Sequence, residues 1–120
     1  MIALDTSSLQ RYLSGIANDR TRAAIAAGDA VIAPAVLTEA LSNPNLDHRS
    51  QAIILSLPVL TLHDGYWERA ASVRRDILRA GLRARLADTL IAQSSLDHDA
   101  PLITHDNDFK NFVPAGLKLL

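Results

Sequence analysis

The sequence predicts an α/β fold: a three-layer sandwich with a mainly parallel central sheet flanked by helices. Short apolar runs recur at Ile2 to Leu4, Ala30 to Ala33, Val59 to Leu62 and Pro101 to Thr104, each of strand length. Segments of helical pattern fill the intervals, the alternation expected of parallel strands joined by crossover helices. With 48% hydrophobic and 21% charged residues, the composition is ordinary for a chain with a core. At 120 residues it is expected to form one domain, 1–120.

Each element has a local reason. The first strand ends at Asp5, and Thr6, Ser7 and Ser8 form a turn-and-cap cluster that starts a helix ending near Gly15. Asn18 or Asp19 caps a second helix, which runs through alanines to Gly28. Pro34 after the second strand suits the first turn of a helix carrying Glu39, and Asn43-Pro44 stops it. Asp47 caps a fourth helix, closed by Pro58 ahead of the third strand. The longest helix is expected from about Asp64 to Ala80, with Tyr66, Ala70, Val73, Ile77 and Ala80 as its core stripe. A further helix spans Leu86 to Leu96, and the fourth strand stops just before Asp106. Asp97 and Asp99 read as loop residues at the opposite sheet end, and Leu117 and Leu119 as part of a short edge strand.

Composition excludes several classes. There is no cysteine, so disulfides, thiolate zinc sites and cysteine nucleophiles are out. No apolar run approaches the roughly 20 residues of a membrane span. The opening MIALDTSSL has no basic segment before its apolar stretch, so a cytoplasmic location is expected. No glycine-rich phosphate loop or Gly-x-Ser-x-Gly elbow occurs. The histidines His48, His63, His98 and His105 lack metalloprotease spacing; His105, beside Asp106, is a candidate contact for a phosphate or a bound water.

The chemistry points to acids. Asp5 and Asp106 follow strands, while Glu39 and Asp88 sit in helices. A parallel sheet gathers such positions outside its strand carboxyl ends. Each acid alone has a plain explanation: Asp5 as a helix cap, Glu39 as a solvated side chain, Asp88 at the positive end of a helix, Asp106 and Asp108 as a turn-and-cap pair. Together they would repel by several kcal/mol at an effective dielectric of about 20, which calls for a cation or a raised pKa. All-oxygen ligands suit Mg²⁺ or Mn²⁺. In this arrangement Asp5, Asp88 and Asp106 are expected to coordinate metal directly or through water, and Glu39 to hold a second ion or orient a water. Asp108 either supports Asp106 or is itself a ligand.

Charge is uneven. Arg69, Arg74, Arg75, Arg79, Arg83 and Arg85 are six of the twelve basic residues, so residues 68–85 carry +4 and the rest −5. That strip is either a solvated helix face or a guide for a polyanion, with Arg75, Arg79, Arg83 and Arg85 as candidate phosphate contacts.

Four segments resemble one family. Leu4-Asp5-Thr6-Ser7-Ser8-Leu9, Thr38-Glu39-Ala40-Leu41, Arg85 to Ala92 around Asp88, and Leu102 to Phe109 are similar, in order and spacing, to the motifs of PIN-domain nucleases, especially VapC-type toxins. The resemblance implies a PIN-like fold and a metal-dependent endoribonuclease with Asp5, Glu39, Asp88 and Asp106 as its acidic quartet. It implies site-steadying hydroxyls at Thr6 and Thr104, a homodimer, and an antitoxin that blocks the cleft. Thr89 departs mildly from the small residue usual after the third acid, and His105 replaces an arginine or other polar residue. Two alternatives compete: a non-catalytic RNA- or protein-binding module, and a haloacid-dehalogenase-type phosphatase, which would need an aspartate where Ser7 stands.

Overall fold

In the computed structural model, which describes residues 1–120, three short parallel strands carry the architecture. They are β1 (Ile2–Leu4), β2 (Ala30–Ile32) and β3 (Leu102–Ile103), in the order β2-β1-β3. Between them lie α1 (Thr6–Leu13), α2 (Asp19–Ala26), α3 (Pro34–Leu41), α4 (His48–Ser56), α5 (Tyr66–Arg79) and α6 (Leu86–Asp97), and a 3₁₀ helix follows at Asn107–Ala115. The crossover through α1 and α2, from β1 to β2, and the one through α3 to α6, from β2 to β3, run in opposite directions across the sheet, so right-handed connections put them on opposite faces. This is the three-layer α/β sandwich.

Caps set the helix starts. Asp5 accepts from Ser8 N at 2.8 Å, Asn18 from Thr21 N at 2.8 Å and Asp47 from Ser50 N at 2.7 Å. At the end of α2, Gly28 adopts φ +74°, and Asp29 N reaches back to Ala24 O at 2.9 Å. That left-handed turn sends the chain directly into β2. Leu4, Leu9, Ile32, Val36, Ile54, Ile91, Phe109 and Phe112 are fully buried, each contributing roughly 1.5–3 kcal/mol of transfer free energy.

Several expectations are corrected. The third strand, Val59 to Leu62, shrinks to one parallel bridge, Ile32 to Val59. β2 offers it a single turn of pairing, with Ile32 N bonded to Pro58 O and Leu60 N to Ile32 O, and Val59 and Leu62 stay exposed at this edge. The tail likewise forms a bridge, Leu102 to Leu119, not a strand. Helix α5 starts at Tyr66, because Gly65 takes φ +83° and serves as the N-cap. In its stripe Tyr66, Ala70 and Ile77 are buried and Val73 half-buried, but Ala80 lies past the last turn and is exposed. Asp97 is no loop residue: it closes α6, where Arg69 clasps it through Nε at 3.0 Å and Nη2 at 2.6 Å. No helix is long and apolar enough to cross a membrane.

Candidate active site

The strand connections diverge between β1 and β3, the position where open parallel sheets form a crevice beyond their carboxyl ends. Asp5 leaves β1 there, and Thr104 to Asp106 leave β3. A cavity of about 200 Å³ opens at this point, lined by Asp5, Glu39, Asp88 and Asp106 together with Thr6 and Arg85. The four acids far apart in sequence therefore share one space.

Asp5 is 2% exposed and heavily hydrogen-bonded. Its oxygens accept from Ser7 Oγ at 2.9 and 2.8 Å, from Ser8 N at 2.8 Å, and from Thr104 Oγ1. Thr104 Oγ1 also accepts from Asp106 N at 2.9 Å, and Asp106 Oδ1 accepts from Asp108 N at 2.9 Å. The same 3₁₀ turn that Asp106 caps thus swings Asp108 toward the cavity. Across the opening, Thr6 Oγ1 donates to Glu39 Oε1 at 2.6 Å.

Asp88 sits in the first turn of α6 with Oδ2 buried and without a hydrogen-bond partner. Burial, then the charge of Asp106, pushes its carboxyl up to about 6; Arg85 opposes the shift, and Glu39 and Asp108 add to it. One oxygen each from Asp88, Asp106 and Asp108 lies within 4.8 Å of the others. This trio is tighter than the expected quartet, for Asp5 and Glu39 line the cavity outside it. A hard divalent cation fits the trio, because every donor is a carboxylate oxygen and one buried oxygen lacks a partner.

The arginines divide. Arg85 borders the cavity, and Arg83 Nη1 stands 3.8 Å from Asp108 Oδ2. Arg75 and Arg79 instead line a separate groove of about 620 Å³ between α5 and α6, with exposed Trp67, Leu78 and Leu86. Arg74 donates to Ala84 O at 2.8 Å. His105 is exposed and outside the cavity lining, although its backbone N–H donates to Ser7 Oγ at 3.2 Å. Sequence reasoning missed Ser7, whose hydroxyl fills the place a phosphatase aspartate would need. A serine two residues after a helix-capping aspartate is the local signal for such a contact.

Comparisons bear on this geometry. The PIN domain family model matches residues 2–113. A chain from the crystal structure of VapBC2 of Rickettsia felis, bound to a promoter DNA fragment, is 20% identical with a TM-score of 0.78, covering 100% of this chain and 98% of that one. A chain of VapBC-1 from nontypeable Haemophilus influenzae is 21% identical with a TM-score of 0.71, covering 100% and 97%. A chain of VapBC-5 from Mycobacterium tuberculosis, described as a member of the VapBC family of toxin-antitoxin systems, is 20% identical with a TM-score of 0.68, covering 99% and 98%. No curated protein sequence matches. A family model spanning nearly the whole chain, on the fold these structures share, shows that the protein belongs to the PIN domain family.

Proposed function

We propose that this chain is a single-domain, metal-dependent endoribonuclease and the toxin of a toxin–antitoxin pair. The observation that carries the reading is Asp88, whose buried Oδ2 has no hydrogen-bond partner and whose carboxylate clusters with those of Asp106 and Asp108 at a cavity that Asp5 and Glu39 also line. Such a cluster is unfavourable without a cation.

Asp88, Asp106 and Asp108 would hold Mg²⁺ or Mn²⁺, with Asp5 beside them. When bound, the ion supplies Lewis-acid stabilisation for charge building on the phosphoryl oxygens. Glu39, fixed by Thr6, orients the attacking water and receives its proton. Thr104 and Ser7 lock the Asp5 carboxylate in one orientation. Arg85 at the cavity meets a phosphate, while Arg83, Arg75 and Arg79 extend a positive surface that positions the strand without reading bases.

The partners in this reading are RNA, an antitoxin protein and a second copy of the chain, all in the cytoplasm. Exposed Trp67, Leu78 and Leu86 around the α5–α6 groove support a protein partner, since contiguous apolar surface marks such sites. So do the toxin-antitoxin complexes among the structural neighbours. Product chemistry tests the mechanism. Attack by water leaves a 5′-phosphate and a 3′-hydroxyl, whereas a 2′,3′-cyclic phosphate would mean attack by the ribose and sink it.

A further inference from the structure

Two rows of polar side chains leave the acidic cavity side by side. On α1, Thr6 and Gln10 are one helical turn apart and share a face that continues to the C-cap Ser14; Glu39 lies on α3 and Asn43 just past its exit. The rows meet at the Thr6–Glu39 hydrogen bond. Between them lies a groove of about 360 Å³, closed by Asn45, Asp47 and Ser50. Gln10 borders both the cavity and the groove, so the two spaces adjoin.

The groove is lined mainly by uncharged polar side chains. No lysine or arginine lines it. Phosphates are held by cations and clustered N–H donors, and here the one charged residue is a carboxylate, Asp47, whose Oδ1 accepts from Ser50 N at 2.7 Å. The side-chain amides of Gln10 and Asn45 bond nothing within the chain. Asn43 engages only its oxygen, which accepts from Asn45 N at 3.0 Å, leaving its NH₂ free. Free amides are the groups that pair with base edges, where donor and acceptor must be offered together. The volume is at the small end of ligand clefts, which begin near roughly 300 Å³, and suits one base with its sugar.

We propose that this groove is a base-reading subsite, in which Gln10, Asn43 and Asn45 hydrogen-bond an unpaired nucleobase adjoining the phosphate in the acidic cavity. The inference rests on the ribonuclease reading of that cavity. It makes the substrate single-stranded or looped at the cut, because a paired base cannot offer its edge, and it sets a base preference at one flanking position.

Side-chain amide NMR tests it without turnover. Metal-free wild-type protein is titrated with short single-stranded oligoribonucleotides of each base and with an abasic strand of equal length. The NH₂ signals of Gln10, Asn43 and Asn45 are expected to move with at least one base and to stay fixed with the abasic strand. In parallel, an Asn43→Ala/Asn45→Ala variant is expected to lose at least about fivefold of the base preference at mapped cleavage sites. Equal shifts from the abasic strand would reassign the groove to phosphates, and no shift with any strand would show that it holds no part of the RNA; either overturns the proposal. Base-dependent shifts in a protein that leaves RNA uncut would support the groove and refute the nuclease. Cleavage with unmoved amides would do the reverse.

Discussion

Thr104 Oγ1 donates to Asp5 Oδ2 and accepts from Asp106 N, so one hydroxyl joins the exits of β1 and β3. Replacing it by the isosteric Thr104→Val leaves Asp106 N and one Asp5 oxygen without this partner. A loss of about 1–3 kcal/mol in urea unfolding is expected, with a drop in RNA cleavage. Thr104→Ser keeps the hydroxyl and is expected to restore most of both.

Asp88 makes the metal-free protein pH-sensitive. Its folded pKa, about 6, lies above the ordinary 3.8, so its favourable contribution is complete below 3.8 and is lost as pH rises through about 6. Metal-free wild type is therefore expected to lose melting temperature between pH 4.5 and 7.5 relative to Asp88→Asn. Divalent metal should restore wild type at pH 7.5 and leave the variant unmoved. Differential scanning calorimetry in chelator, then in Mn²⁺, checks both.

Thr6 holds Glu39 through one hydrogen bond near the surface. As a positioning residue it should matter for rate rather than folding. Thr6→Val is expected to lower kcat by roughly 10–100-fold, as for other outer-shell partners. Stability should change by less than about 0.5 kcal/mol. Rescue of kcat by Thr6→Ser, with KM constant throughout, separates positioning from binding.

Asp97 gives the contrasting case of an acid outside the cavity. Burial opposes its charge, but hydrogen bonds from Arg69 and Gln93 outweigh burial and hold its carboxyl below the ordinary range. Its stabilisation is thus present above pH 3.8 and lost as pH falls through the lowered folded value. Asp97→Asn is expected to destabilise by about 1–3 kcal/mol at pH 7. At a temperature where the variant stays folded, its cleavage rate should equal wild type.

Arg75 and Arg79 lie on α5, away from the acidic cavity. If they touch phosphates, Arg75→Ala/Arg79→Ala should weaken RNA binding and reduce the slope of log K against log salt by about 0.7 per lost contact with single-stranded RNA. An unchanged slope would return both to a solvated or protein-facing role.

The fold is legible in the sequence where its causes are local. Asp5, Asn18 and Asp47 announce helix starts because each capping side chain bonds a backbone N–H only three residues ahead. Val59 to Leu62 misleads because its apolar run records burial of Leu60, while strand length depends on how much of β2 is available to pair. The four acids are legible as a gathering, since strand exits and helix starts converge in a parallel sheet. Asp108 is not separable there, because a turn cap and a ligand look alike until the 3₁₀ helix sets its carboxylate near Asp88. Arg74 reads the same as Arg75, yet the loop between α5 and α6 gives it Ala84 O as a partner. The amide groove is invisible for a similar reason: Gln10 lies on α1 and Asn43 in the loop after α3.

The central claim is tested most directly by incubating cellular RNA with wild-type protein, Asp5→Asn and Asp88→Asn, with and without Mg²⁺ or Mn²⁺, and mapping new 5′-phosphate ends. Discrete ends that need the metal and vanish in both variants are the expected result. Identical RNA profiles in every lane, from folded protein free of bound inhibitor, would contradict it and leave a binding module on a PIN fold.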